Sequence, residues 1–270
     1  MSATVYAVAN QKGGVAKTTT VLTLAAALAE RGLAVLACDL DPQAGLTFSL
    51  GYDPEECAPT IHEVVTGDAT LAETILQHPE TDLVPSSIEL AGGEVALLAR
   101  SGREYLLRSE LSAVVASYDI VLIDCPPSLG MLTLNALTAA HRLLIPVQCE
   151  TLSHRGVAQL LATVSDVRRL TNPELEVTGT VATMYDPRTR HGRAVLADLE
   201  RRYGLEVVGV PVRKSVRFAE APHEGVSILA YDDTVPGAAA YRIVAARLAG
   251  LEEDPAWAAR AGAPTRATSG

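Results

Sequence analysis

Residues 10–20 read Asn-Gln-Lys-Gly-Gly-Val-Ala-Lys-Thr-Thr-Thr, residue types suited to holding a chain of phosphates. A Gly-containing turn at a helix N-terminus points backbone N–H groups inward, and the helix dipole favours negative charge there. Lys17 supplies a point charge for the β- and γ-phosphates, and the Thr18 hydroxyl can reach a bound Mg²⁺. The common pattern G-x-x-x-x-G-K-[ST] is not met, because Gln11 and Ala16 stand where it needs glycine. A second lysine, Lys12, precedes Gly13-Gly14 instead. The loop candidates are therefore Lys12, Gly13, Gly14, Val15, Ala16, Lys17, Thr18 and Thr19. Alanine resists φ > 0, so Ala16 is expected at negative φ. A strand–helix turn without a ligand is the plain alternative. Two lysines in this context argue against it.

Carboxylates at two strand ends complete the chemistry. Asp124 closes an apolar run, and a carboxylate leaving a buried strand needs a partner, which Mg²⁺ can supply through water. Asp41, in Asp39-Leu40-Asp41-Pro42-Gln43, is best placed to orient or activate an attacking water, with Asp39 nearer the strand as a supporting group. Thr18, Asp41 and Asp124 are the candidate metal-site residues, and Lys12, Lys17 and Asp41 the candidate catalytic ones. A lysine or arginine from a second subunit often stabilises phosphoryl-transfer charge. Lys12 fits that role only in a dimer formed over ATP, which would tie hydrolysis to assembly.

The elements that must position these groups alternate along the chain. Buried strands are expected at 4–9, 34–39, 118–124, 142–147, 176–183 and 206–210, with a short one at 82–85. Helical spacing covers 21–31, 104–116, 156–170, 192–203 and 236–249, and residues 44–80 read as a loop-rich insertion with short helices. The expected fold is α/β: one domain over 1–250, with a mostly parallel twisted sheet flanked by helices. In such sheets ligands gather at the carboxyl ends of the strands. The 251–270 tail is rich in Ala, Gly, Pro and Thr and is expected to be disordered.

Composition narrows the class further. Hydrophobic residues make up 48% of the 270 residues but aromatics only 4%, which fits an aliphatic core between parallel strands and helices. No apolar run reaches membrane-spanning length and no signal-peptide pattern opens the chain, so a cytoplasmic location is expected. Cys38, Cys57, Cys125 and Cys149 lack C-x-x-C spacing and read as buried thiols. The net charge of −10 argues against general nucleic-acid binding, yet residues 186–217 hold eight basic side chains against four acidic ones. Arg188, Arg190, Arg193, Arg213, Lys214 and Arg217 are the candidate contacts to duplex DNA.

With Lys12 five residues before Lys17-Thr18, the loop resembles the deviant Walker A motif of the ParA/MinD group of P-loop ATPases. Over about residues 3–250 the chain looks like a ParA/Soj-type partition ATPase. Residues 9–20, 39–43, 118–130, 132–137, 145–150 and 216–222 carry the likeness. The resemblance implies ATP and Mg²⁺ as ligands, with Asp124 in the Walker B place. It further implies ATP-dependent sandwich dimers, non-specific DNA binding on the nucleoid, and slow hydrolysis stimulated by a ParB-like partner. Met184 and Pro211 join the nucleotide-contacting candidates on this basis. Arg213 stands where the family often has proline, which changes the expected loop. A MinD-like membrane-cycling ATPase is the alternative, but it needs a basic amphipathic C-terminal helix, and Trp257 is the only strong interfacial anchor in the tail. A dethiobiotin-synthetase-like ligase would share the fold but not the paired lysines.

Overall fold

The computed structural model describes residues 3–150 and 154–262. Six strands form one sheet: β1 (Thr4–Val8), β2 (Val35–Asp39), β3 (Asp82–Val84), β4 (Ile120–Asp124), β5 (Arg142–Gln148) and β6 (Glu176–Thr183). Their order is β3-β2-β4-β1-β5-β6 and every pairing is parallel. The α/β expectation holds. Thirteen helices surround the sheet among the described residues. They are α1 (Lys17–Ala29), α2 (Gly45–Ser49), α3 (Ile61–Thr66), α4 (Leu71–Thr74), α5 (Leu90–Leu97), α6 (Leu106–Ser112), α7 (Met131–Ala139), α8 (His154–Leu170), α9 (Arg190–Tyr203), α10 (Arg217–Glu220), α11 (Ile228–Tyr231), α12 (Pro236–Ala249) and α13 (Pro255–Ala261).

Strands β1, β2 and β4 bury nearly every residue, so they read as continuous apolar runs with no alternation. Each sheet face then needs its own cover. Leu132, Ala136, Leu137, Val157, Leu160 and Val164 of α7 and α8 pack on one face. Leu24, Leu28, Ile243 and Val244 of α1 and α12 pack on the other. Helix α8 buries Val157, Leu160, Val164 and Val167, the spacing of one helical stripe. Register places Val8 and Asp39 both opposite Asp124, so β1, β2 and β4 end level at one edge. The chemistry collects along that edge.

Three expectations change. Residues 206–210 make only an isolated bridge, Val207 with Thr180, because Gly209 at φ +76° turns the chain off the sheet and Pro211 follows. The stretch 104–116 is broken into a 3₁₀ turn at Arg103–Tyr105, α6, and a second 3₁₀ turn at Val115–Ser117. Part of the segment expected to be disordered is helix α13. The Asp254 side chain caps it by accepting from Ala256 N–H, Pro255 opens it, and Ala261 is buried. Residues 263–270 lie outside the described residues.

Candidate functional site

The loop between β1 and α1 is pinned by its protein neighbours. Asn10 donates Nδ2–H to the Pro146 carbonyl at 2.7 Å and accepts from Lys12 N–H at 3.0 Å. Val15 is buried, and its carbonyl accepts from the Thr183 hydroxyl at 3.0 Å. Gly13 and Gly14 are exposed, Gly14 at φ +70°. Ala16 corrects the sequence reading: it is left-handed, at φ +68°. The chain must pass from strand to helix while its N–H groups face inward, and that geometry overrides a local preference of about 1–2 kcal/mol. The Ala16 carbonyl accepts from Thr20 N–H and Oγ1–H, which holds the turn.

Lys17 and Thr18 open α1 beneath this loop. The Lys17 side chain is buried, and its charge acts on Asp124. Thr18 donates its hydroxyl to Asp124 Oδ2 at 2.7 Å. Asp124 Oδ1 is buried and has no hydrogen-bond partner among the described residues. Burial, then repulsion from Asp39, pushes the Asp124 carboxyl well above the usual carboxylate range. An orphaned carboxylate oxygen beside a hydroxyl and further carboxylates fits a hard divalent cation. Among the described residues no three His, Cys, Asp or Glu side chains form a complete metal cage. That donor set suits Mg²⁺, which keeps several waters and takes ligands from phosphates.

The two aspartates of the 39–43 segment differ. Asp39 is fully buried; Oδ2 accepts from Thr47 N–H and Oγ1–H at 2.9 and 2.8 Å, and Oδ1 from Asp41 N–H at 3.2 Å. Desolvation still raises its carboxyl to about 6. Its lone pairs are committed to shaping the loop that carries Asp41. Asp41 is half-buried; its side chain accepts from Gln43 N–H, and its carbonyl accepts from Ser86 Oγ–H.

Lys12 reaches the end of β5. Its Nζ donates to Gln148 Oε1 at 3.0 Å. Gln148 in turn donates to Glu150, whose other oxygen receives Lys214 Nζ–H at 2.8 Å. The two lysines are thus joined through the end of β5.

A cavity of about 270 Å³ opens beside the loop, lined by Thr19, Met184, Val212, Arg213, Phe218 and Tyr241 among others. Pro211 is not among its lining residues. Apolar walls next to a phosphate loop suit a flat heterocycle. Sequence reasoning missed Val212, Phe218 and Tyr241. Tyr241 signals itself only through the Thr20 hydroxyl it meets at 2.9 Å, 221 residues away.

The basic candidates lie near one another but are not equivalent. A parallel bridge between Tyr185 and Arg213 lays the 185–190 turn beside the 213–217 loop. Arg188 pairs with Asp186, Lys214 with Glu150, and Arg217 with Glu220 and Asp232. Arg190 and Arg193 are exposed on the first turns of α9 without an acidic partner among the described residues. Arg213 is half-buried in the cavity wall.

Known proteins resemble this chain. The AAA domain family matches residues 3–177. The sporulation initiation inhibitor protein Soj of Bacillus subtilis is 39% identical over 247 residues, covering 91% of this chain and 98% of that protein. The chromosome partitioning protein ParA of Caulobacter vibrioides is 40% identical over 254 residues, covering 93% and 95%. A structure of cobyrinic acid a,c-diamide synthase from Mycobacterium smegmatis, with bound ATP analog and magnesium, is 48% identical at a TM-score of 0.81, covering 91% and 94%. The loop with two lysines, the Thr18–Asp124 pair and near-full-length similarity together show that the chain belongs to the ParA/Soj family of P-loop proteins.

Proposed function

We propose that the chain is a Mg²⁺-dependent ATPase that dimerises over ATP, binds duplex DNA without sequence preference and drives DNA partition with a ParB-like partner. The observation that carries the reading is the division of labour between two lysines. Lys17 is buried under the loop facing the Thr18–Asp124 pair, whereas Lys12 donates to Gln148 at the end of β5. Lys17 holds the phosphate chain, Asp41 orients the attacking water, and Lys12 serves a second subunit's nucleotide. Bound Mg²⁺ would neutralise phosphate charge beside Thr18 and Asp124. The apolar cavity at Met184 and Tyr241 takes the base.

DNA contact falls to the segment bearing Arg188, Arg190, Arg193, Lys214 and Arg217, with Arg213 at its inner edge. Dimerisation doubles this patch, and counterion release makes affinity fall with salt at a slope of roughly −0.9 per phosphate contact. Residence on the nucleoid would then follow nucleotide state. The test is a mobility shift with unrelated duplexes, with and without ATP, alongside sedimentation to follow the dimer. Binding indifferent to nucleotide would reject the switch.

Two other readings fare less well. A membrane-cycling ATPase would present Trp257 to lipid, but Trp257 packs against the α1/α12 layer with the Arg31 guanidinium over its ring. No helix among the described residues is long and apolar enough to cross a membrane. An amide-forming synthase fed by glutamine would need an activated thiolate. Burial instead raises all four thiols, Cys38 and Cys149 to about 12.

A further inference from the structure

Helix α13 ends against the wall of the base cavity. Gly262, just past its last turn, sits at φ +66°, and a Cβ there would overlap Arg213 Nη2. The guanidinium is therefore seated on the Gly262 backbone at the carbonyl end of a helix, where positive charge is favoured. Arg213 has no carboxylate partner among the described residues, unlike Arg188, Lys214 and Arg217. The helix that meets it is fixed at both ends. Trp257 packs into the α1/α12 layer under Arg31, and Arg260 pairs with Asp233 just ahead of α12.

We propose that α13 is a buttress for the nucleotide site: it sets Arg213 in the cavity wall, where the guanidinium plane stacks on or donates to a purine base. The inference rests on the ATP-site reading and extends it to a part of the chain that touches no phosphate. Arginine suits the task because its flat, always charged group can lie against a heterocycle and still donate at its edge. By reciprocity, a base that tightens Arg213 also tightens α13, so the base and the C-terminal helix stabilise each other.

The full chain contains a matched control. Gly250, after α12, has the same φ of +66° as Gly262, but a Cβ there meets nothing within 4 Å. Gly250→Ala and Gly262→Ala therefore carry equal backbone strain, and only the second displaces Arg213. ATP and inorganic tripolyphosphate would be titrated into the wild-type chain, both alanine variants, Arg213→Ala and the Gly262→Ala/Arg213→Ala double variant. Gly262→Ala and Arg213→Ala are each expected to weaken ATP binding roughly tenfold, the scale of one lost charged hydrogen bond. Tripolyphosphate affinity should stay unchanged, Gly250→Ala should behave as wild type, and the double variant should lose no more than either single. Trp257, the sole tryptophan, should change its emission with ATP but not with tripolyphosphate. Wild-type ATP affinity in Gly262→Ala, or independent losses in the double variant, would overturn the proposal. Should Gly262→Ala not fold, an unchanged Trp257 signal at saturating ATP in the wild-type chain does so instead. Failure of both ligands to bind the wild-type chain rejects the phosphate-loop reading itself, and the inference with it.

Discussion

The carboxyl edge of the sheet and the basic segment at 186–217 handle charge in opposite ways. At the edge, Lys17, Asp39 and Asp124 are buried, and their positions are fixed by strand register and by hydrogen bonds to neighbouring loops. On the basic segment, Arg188, Lys214 and Arg217 are exposed and lean on acids a few residues away or on the end of β5. Buried charge has no water to fall back on, so its partners must be exact in place and number. Exposed pairs are worth about 0–1 kcal/mol and exchange readily for a phosphate. On the proposed function, one region holds a ligand in a single geometry. The other lets its ligand go.

The largest expected effect breaks the first region. Lys17→Ala should abolish measurable ATP binding by calorimetry, since removing one member of a buried charge set costs on the order of 2–5 kcal/mol. Wild-type affinity in that variant would move the phosphate site elsewhere. Next, Asp41→Ala should keep nucleotide binding and dimer formation while phosphate release slows by about 10²-fold or more. Its melting temperature should stay near wild type.

Asp39→Asn sharpens the contrast within the same loop. An amide nitrogen would face a backbone N–H of Thr47 or Asp41, so stability should fall by about 1–3 kcal/mol in urea unfolding. The variant also tests a pH effect. Folding holds the Asp39 carboxyl at about 6, so the native chain keeps a proton that the unfolded chain releases near pH 4. Stability of the ligand-free protein from this group therefore declines as pH rises from about 4 to about 6. The corresponding part of the decline should vanish in Asp39→Asn, read from melting curves across that window.

The smallest effects on folding belong to the second region. Arg190→Glu with Arg193→Glu should leave the melting temperature unchanged and flatten the salt dependence of DNA binding by roughly 0.9 per lost phosphate contact. Arg188→Glu alone should do less than half as much, because its charge already answers Asp186. A change in slope half that of the double variant would erase the distinction between paired and unpaired arginines.

How much of this was legible in the sequence follows the same division. The phosphate loop is contiguous, so residue types and spacing expose it directly. Asp124 could be named because a carboxylate ending a run of buried aliphatics is physically anomalous. The conformation of Ala16 was not legible, since intrinsic preference points to negative φ and only the loop's closure demands the reverse. The base cavity was hidden because Phe218 and Tyr241 are ordinary aromatics that long-range packing brings together. Helix α13 was masked by composition: its small residues looked like a tail, while Asp254, Pro255 and Gly262 supply the signals of a capped helix.

Among the described residues, three that are not glycine have positive φ: Ala16, Ala44 and Met184. They sit at the entry to α1, the entry to α2 and the exit of β6; Ala16 and Met184 line the cavity beside the phosphate loop, and Ala44 closes the turn that follows Asp41. Each opposes folding by roughly 1–2 kcal/mol, a debt carried by the rest of the domain. Selection for heat resistance alone would find these positions attractive, because glycine or asparagine there relaxes the backbone. The same exchange would slacken the turns that shape the cavity and the Asp41 segment. In this chain, durability and activity compete for the same three residues.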